Sequence, residues 1–143
     1  MGHDLRALSR RWFEEVWSKR IDDTIDKLAS ADAIAHGLSE DCKPAHGLDH
    51  FRGFRRSFLS AFPDLKVNVE DVLVDGDKTT ARLSFSGTHK GEGIGIAPTG
   101  KTFKSTAIVI CRWEDGKIVE SWNEFDAAGM MRQLAAPTAK LRP

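Results

Sequence analysis

The chain has 143 residues, with Lys+Arg and Asp+Glu both at 21, a formal net charge of zero and a pI near 7.0. That length is enough to bury a core as one domain, and the even charge excludes the basic excess on which nucleic-acid binding rests. A mean hydropathy of -0.36 and no apolar run near the ~20 residues of a membrane span read as a soluble protein with no membrane partner.

The first third is helical by its spacing. Leu5, Leu8, Trp12, Phe13, Val16 and Trp17 recur three and four residues apart, an amphipathic stripe. Asp4 is placed to cap its start, and Lys19 and Arg20 suit its negative C-terminal end. A short second helix follows from Asp22, with Ile25 and Leu28 inward. ASADAIAHGLSEDCKPAHG then reads as irregular, with one brief strand over Ile34–His36. A third helix over Leu48–Ser60 carries Phe51, Phe54, Phe58 and Leu59 on one side and ends before Pro63.

After Pro63 the period changes from helical to alternating. LKVNVEDVLVDGDKTTARLSFSGTH is a hairpin turned at Asp75-Gly76-Asp77, a glycine-rich loop runs from Gly91 to Gly100, and FKSTAIVICRW is a third long strand. Asp115-Gly116 turns it into a fourth, KIVESWNEF, and AAGMMRQLAAP closes as a short helix. Helices first and antiparallel strands afterwards is an α+β pattern, with helices covering one face of a curved sheet whose open mouth is the natural pocket. The expected organisation is a single domain over 1–137 with a flexible tail over 138–143. The N-terminus shows neither a hydrophobic signal core nor a myristoylation pattern after Gly2, and Cys42 and Cys111 are too few for a disulfide framework, so the expected compartment is the cytoplasm.

The strings EVWSKR, AFPDL, SGTHKGEGIGIAPTGK and EDGKIVESWNEFDAAGMMRQL, in this order of elements, closely resemble the SnoaL-like polyketide cyclases, also called ester cyclase-like, of the nuclear-transport-factor-2-like superfamily. The resemblance runs from about Leu5 to Leu134. It implies a small α+β cone that dimerises through the outer face of its sheet. It also implies ring closure of a polyketide by intramolecular aldol condensation, without metal or cofactor. In the related cyclases the acid/base pair is a histidine on the third strand and an aspartate just after the tryptophan of the fourth. Aligned by the Asp115-Gly116 hairpin, those positions hold Val109 and Asn123 here, and neither can take or hand on a proton.

Other motifs compete for a role. GIAPTGKT, Gly95 to Thr102, matches the phosphate-loop pattern, but a loop precedes it and a β-branched run follows, where a strand and then a helix are required; it reads as a sheet connection. Asp126 stands where a helix begins, so it is either a cap or, by resemblance, part of the pocket. His46 and His50 lie four apart without a third ligand, so no metal is expected. His36 is the better functional histidine, as base or orienter with Asn123 polarising an oxygen. His89 in the G-T-H turn is a weaker candidate, as a loop histidine is more often a hydrogen-bonding residue. Arg82 is a candidate for positioning an anionic group, the alternative being a solvated arginine on the outer face. Trp12, Trp17, Phe58 and Phe62 are chiefly core, with Trp17 and Phe62 set down as cavity-wall candidates beside Val109. The chain has no tyrosine, so the phenolic oxyanion donor of some steroid isomerases in the superfamily cannot be supplied.

Two readings stand. The first is a cofactor-independent cyclase or isomerase acting on a small apolar carbonyl compound; the second is a non-catalytic binder of a hydrophobic metabolite. Alternation turns Glu120, Trp122 and Glu124 away from Ser121, Asn123 and Phe125. If Asn123 faces the cone, Trp122 with Ile108 and Ile110 forms an outer surface for a homodimer partner.

Overall fold

The computed structural model describes residues 3–39 and 41–135; the expected tail over 138–143 lies outside them. Its elements run α1 (Leu5–Trp12), a π-helical turn (Phe13–Ser18), α2 (Asp23–Leu28), β1 (Ala29–His36), β2 (Ala45–His46), α3 (Leu48–Ala61), β3 (Lys66–Asp75), β4 (Lys78–Thr88), β5 (Thr102–Glu114), β6 (Lys117–Phe125) and α4 (Ala127–Ala135). The strands form a six-stranded sheet in the order β2-β1-β6-β5-β4-β3. Helices therefore precede a curved sheet, the α+β order expected. Among the described residues no helix is long and apolar enough to cross a membrane.

Period-2 alternation sets the sheet's two faces. Along β5, Phe103, Ser105, Ala107, Val109, Cys111 and Trp113 are buried while their neighbours are exposed or half-buried. The β4–β5 register places Leu83 opposite Ala107 and Ala81 opposite Val109, and the β5–β6 register places Val109 opposite Asn123 and Cys111 opposite Ser121. These pairs share the concave face, against which α1, the π turn and α3 pack their apolar stripes.

Two elements differ from the expectation. β1 spans all of Ala29–His36 and runs parallel to β6, with Ala35 opposite Ser121 and His36 opposite Trp122. Ala29, Ala31, Ala33 and Ala35 alternate with Ser30, Asp32, Ile34 and His36, but alanine makes only a weak apolar side and Ile34 is the one β-branched residue to announce a strand, and its parallel partner is remote in sequence. The second is the end of the first helix, which widens into a π turn: Lys19 N donates to Glu14 O at 2.8 Å, a five-residue step. The wider turn accommodates Trp12, Phe13, Val16 and Trp17 on one inward side.

The edge strand β3 is covered rather than left free. Arg6 donates to the Val72 carbonyl, and Ser18 Oγ both donates to Val67 O and accepts from Val67 N, each at 3.0 Å. Side chains of the first helical segment thus use backbone groups that a bare edge would present to another chain. The Gly91–Gly100 loop lies against the end of α3, with Lys90 N and Gly91 N donating to Ala61 O. A Cβ on Gly91 would lie 2.0 Å from Ser60 O and one on Gly93 would lie 2.2 Å from Ser57 O. The loop then feeds β5 directly, so the phosphate-loop pattern lacks the helix N-terminus that phosphate binding needs.

Candidate functional site

The concave face and the helices enclose a cavity of about 90 Å³, several times the ~10–15 Å³ that one water requires. Trp12, Phe13 and Trp17 from the first helical segment form one wall, Phe51, Phe54 and Phe58 from α3 another, and Leu83, Phe85, Val109 and Phe125 the sheet wall. The aromatic rings interlock mainly edge to face. Trp17 meets Phe51, Phe54 and Phe58 at centroid distances of 5.9, 6.2 and 6.2 Å, within the range where such pairs are favourable. A smaller chamber of about 40 Å³ adjoins it. The two share Trp12, Phe51, Val109 and Asn123 as common wall, and the smaller one is completed chiefly by small side chains of β1, by Cys111 and by Ser121.

Val109 and Asn123 both face this cavity, paired across β5 and β6. Asn123 is held from behind: its Nδ2 donates to His36 O at 2.9 Å and to Ser121 Oγ at 3.0 Å. Both amide hydrogens are used, which leaves Oδ1 as the group Asn123 can offer a ligand. Trp17 is also on the wall.

The other candidates lie elsewhere. His36 is opposite Trp122 in the β1–β6 register, on the outer face. Its ring stacks on Trp122 at 5.3 Å and 10°, and Nε2 donates to Glu120 Oε2 at 2.7 Å. It is not a base inside the cone. Glu120 in turn accepts from Arg112, and its carboxyl is held below the usual range, first by the His36 hydrogen bond. Arg82 is also on the outer face, exposed and bonded to Asp71 at 3.1 Å, the solvated alternative.

Phe62 is fully buried among Phe58, Phe103 and His89, in the core and off the cavity wall. His89 is sealed beside it. Its Nδ1 accepts from Thr99 N at 3.2 Å, so the ring organises the loop that follows. Asp126 is exposed and caps α4, accepting from Gly129 N at 2.8 Å. His46 lies in β2, and His50 shares a hydrogen bond with Ser39 Oγ at 3.1 Å. Among the described residues no three His, Cys, Asp or Glu side chains are grouped to hold a metal.

Two residue groups were named in the sequence but not as cavity-wall residues. Ser121 and Phe125 share Asn123's face by plain alternation, so the signal was present. Phe51 and Phe54 sat on the helix stripe, where a core residue and a cavity residue look alike.

What the walls can do follows from their chemistry. Cys111 is buried, and burial pushes its thiol up to about 12, so it stays protonated. Glu124 borders the large chamber, but its strand position is an outward one, opposite Ile108. The interior is thus aromatic and neutral, with one amide acceptor and one hydroxyl. It fits an apolar, uncharged compound with a few oxygen substituents.

A family model described as SnoaL-like polyketide cyclase matches residues 7–134. Aklanonic acid methyl ester cyclase AcmA from Streptomyces galilaeus is 36% identical over 74 residues, covering 50% of this chain and 51% of that protein; the chain thus aligns with about half the length of this curated relative. Among solved structures, wild-type IdmH from Streptomyces antibioticus, described as a candidate polyketide cyclase, superposes with a TM-score of 0.83 at 27% identity, covering 94% of this chain and 100% of that one. AclR from Streptomyces galilaeus, described as a candidate hydroxylase, gives a TM-score of 0.79 at 26% identity over 92% of this chain and 96% of that one.

Proposed function

The chain belongs to the SnoaL-like polyketide cyclase family, and from that membership we propose that its cone takes a neutral, polyketide-like carbonyl compound and promotes ring closure in it without a cofactor. The observation that supports this is the aromatic cavity with Asn123 on its wall and a carboxylate, Glu124, only at its border. An apolar polyketide seats one end in this space and the rest at its open mouth, gaining roughly 25 cal/mol per Å² of apolar area removed from water; a hydroxyl or enol O–H of it meets Asn123 Oδ1 and an oxygen acceptor meets the Ser121 hydroxyl.

Ring closure by aldol chemistry joins an enolisable carbon to a carbonyl carbon of the same molecule. The residues at the positions of the related cyclases' acid/base pair are Val109 and Asn123, so proton removal falls to water or to the acidity of a 1,3-dicarbonyl itself. The protein's contribution is confinement: holding the two reacting carbons together converts flexible-chain encounter into a poised geometry. His36, on the outer face, takes no part.

The same lack of a proton-transfer side chain in the cone favours a second reading, a binder that holds the compound without converting it. One experiment separates them. Purified protein is titrated with aklanonic acid methyl ester while the fluorescence of Trp12 and Trp17 reports occupancy, and the product is followed with time. Ring closure above the protein-free rate, unchanged in His36→Ala and abolished in Val109→Trp, supports the cyclase. Saturable binding without product supports the binder, and no binding at all overturns both.

We also propose that a second copy of the chain covers the outer face of the sheet around Trp122, Ile108 and Ile110, and that neither nucleic acid nor a membrane is a partner.

A further inference from the structure

We infer that Ser121 and Asn123 form a neutral donor–acceptor site in the smaller chamber that selects ligands carrying a hydroxyl or enol group. The inference rests on the reading of the cone as a ligand site and adds to it which polar group the ligand must present.

The two residues occupy successive inward positions of β6, opposite Cys111 and Val109. The orientation of the Asn123 amide is fixed by chemistry: its partner at 2.9 Å is the His36 carbonyl oxygen, which only accepts, so the nitrogen must face it. With the second amide hydrogen given to Ser121 Oγ, Oδ1 is left as an acceptor with no protein donor among the described residues. Ser121 Oγ, already accepting from Asn123, has its own hydrogen left to give, and no described protein group takes it. An acceptor and a donor therefore stand side by side on one wall.

The surroundings decide what they recognise. Both chambers border Asn123, and the rest of the smaller one's wall is uncharged, Trp12, Phe51, Val109, Ile118 and the protonated Cys111 among it. No cation lines it, so a carboxylate or phosphate would lose its hydration for one hydroxyl donor. A hydroxyl gives its hydrogen to Asn123 Oδ1 and accepts from Ser121, satisfying both groups. A space of about 40 Å³ admits a substituent of a few atoms, not a ring, so the apolar body remains among the aromatics of the larger chamber. A ligand without the hydroxyl leaves both protein groups dry and unpaired, and sites built to bond a hydroxyl discriminate against such analogues.

The test uses three probes of similar shape, 1-naphthol, 1-methoxynaphthalene and 1-methylnaphthalene, titrated calorimetrically into the purified full chain. Wild-type protein should bind 1-naphthol about tenfold more tightly than 1-methylnaphthalene, with 1-methoxynaphthalene between them because it only accepts. Ser121→Ala should reduce the preference, and Asn123→Leu should abolish it. If Asn123→Leu proves unfolded by circular dichroism, Ser121→Ala alone carries the test. Equal wild-type affinity for 1-naphthol and 1-methylnaphthalene overturns the hydroxyl site and leaves the cone reading standing. Binding of none of the three overturns both.

Discussion

Gly37 follows the end of β1 directly behind Asn123, with φ at +90° and a Cβ position only 2.0 Å from the Asn123 carbonyl oxygen. A side chain there is excluded twice, by left-handed backbone strain and by collision with backbone that has no flexible end to move aside. Gly37→Ala should therefore push β6 away from β1 at the position that aims Asn123. We expect a loss of about 2 kcal/mol or more, read as a fall of roughly 6–10 °C in melting temperature. A variant melting within a degree of wild type would refute the close approach.

Glu15 offers a second test at this scale. Its Oε1 accepts from the buried Thr24 hydroxyl at 2.6 Å and its Oε2 from Arg11 at 3.0 Å. The Thr24 bond first, and Arg11 after it, hold its carboxyl below the ordinary 4.5 despite the opposing effect of burial. A depressed carboxyl contributes stability that is present above its unfolded value and is lost as pH falls through the folded one. Glu15→Gln should thus melt lower than wild type at pH 7, with the gap narrowing as the pH drops below 4.5. A gap of constant size down to acid would show that the charge is not what matters.

At the scale of elements, the π turn is the feature that sets the aromatic wall. Val16 lies in the last turn before Ser18, where helix carbonyls lack a helical donor, and Arg55 of α3 supplies one, Nε at 2.9 Å, while its Nη1 reaches Asp22 at 3.1 Å. Arg55 is buried, which pulls its pKa down while Asp22 opposes the shift. Arg55→Ala would leave a buried carbonyl unpaired and should cost about 2–3 kcal/mol. Arg55→Lys should not restore it, because one ammonium cannot span both partners as the guanidinium does. Chemical denaturation of both variants checks this, and full stability of the lysine variant would count against the pairing.

These elements also show what the residues disclosed and what they withheld. β4 and β6 were legible because Leu83, Phe85 and Phe125 alternate with polar neighbours, β5 because Ala107–Cys111 is a largely β-branched apolar run, and the Asp115-Gly116 turn fixed the β5–β6 register. The same turn is what aligned Val109 and Asn123 with the acid/base positions of the related cyclases. The π turn was not legible, because Trp12, Phe13, Val16 and Trp17 satisfy an ordinary helical spacing equally well. The facing of His36 was not legible either. The alanines of β1 alternate with Ser30, Asp32, Ile34 and His36, but alanine marks a side only weakly, and which side faces the cone is set by a parallel partner, β6, that lies far along the chain.

At the scale of the whole molecule, the sheet presents opposite characters on its two faces. The concave side is aromatic and without charge. The convex side carries a continuous row across five strands, Leu73, Thr80, Ile110, Trp122 and His36, linked position by position through the β3–β4, β4–β5, β5–β6 and β1–β6 registers. Ile108 stands beside the row at 50% exposure and Leu73 within it at 67%. Flanking it are Arg82 with Asp71 on one side and Arg112 with Glu120 on the other. Both signs thus occur on both sides of an apolar strip, the pattern a two-fold axis needs if a copy turned onto the same patch is to find partners for its charges. Sedimentation at micromolar concentration should give a dimer for the wild-type chain. Trp122→Glu places a carboxylate in the strip next to Glu120 and should yield a monomer, and Ile108→Lys should do the same from the neighbouring row. Because these side chains stand on the convex face, both variants should still bind 1-naphthol as the wild type does. A monomeric wild-type chain would remove the second copy from the account, and loss of naphthol binding in the monomeric variants would mean that the two faces are coupled through the sheet.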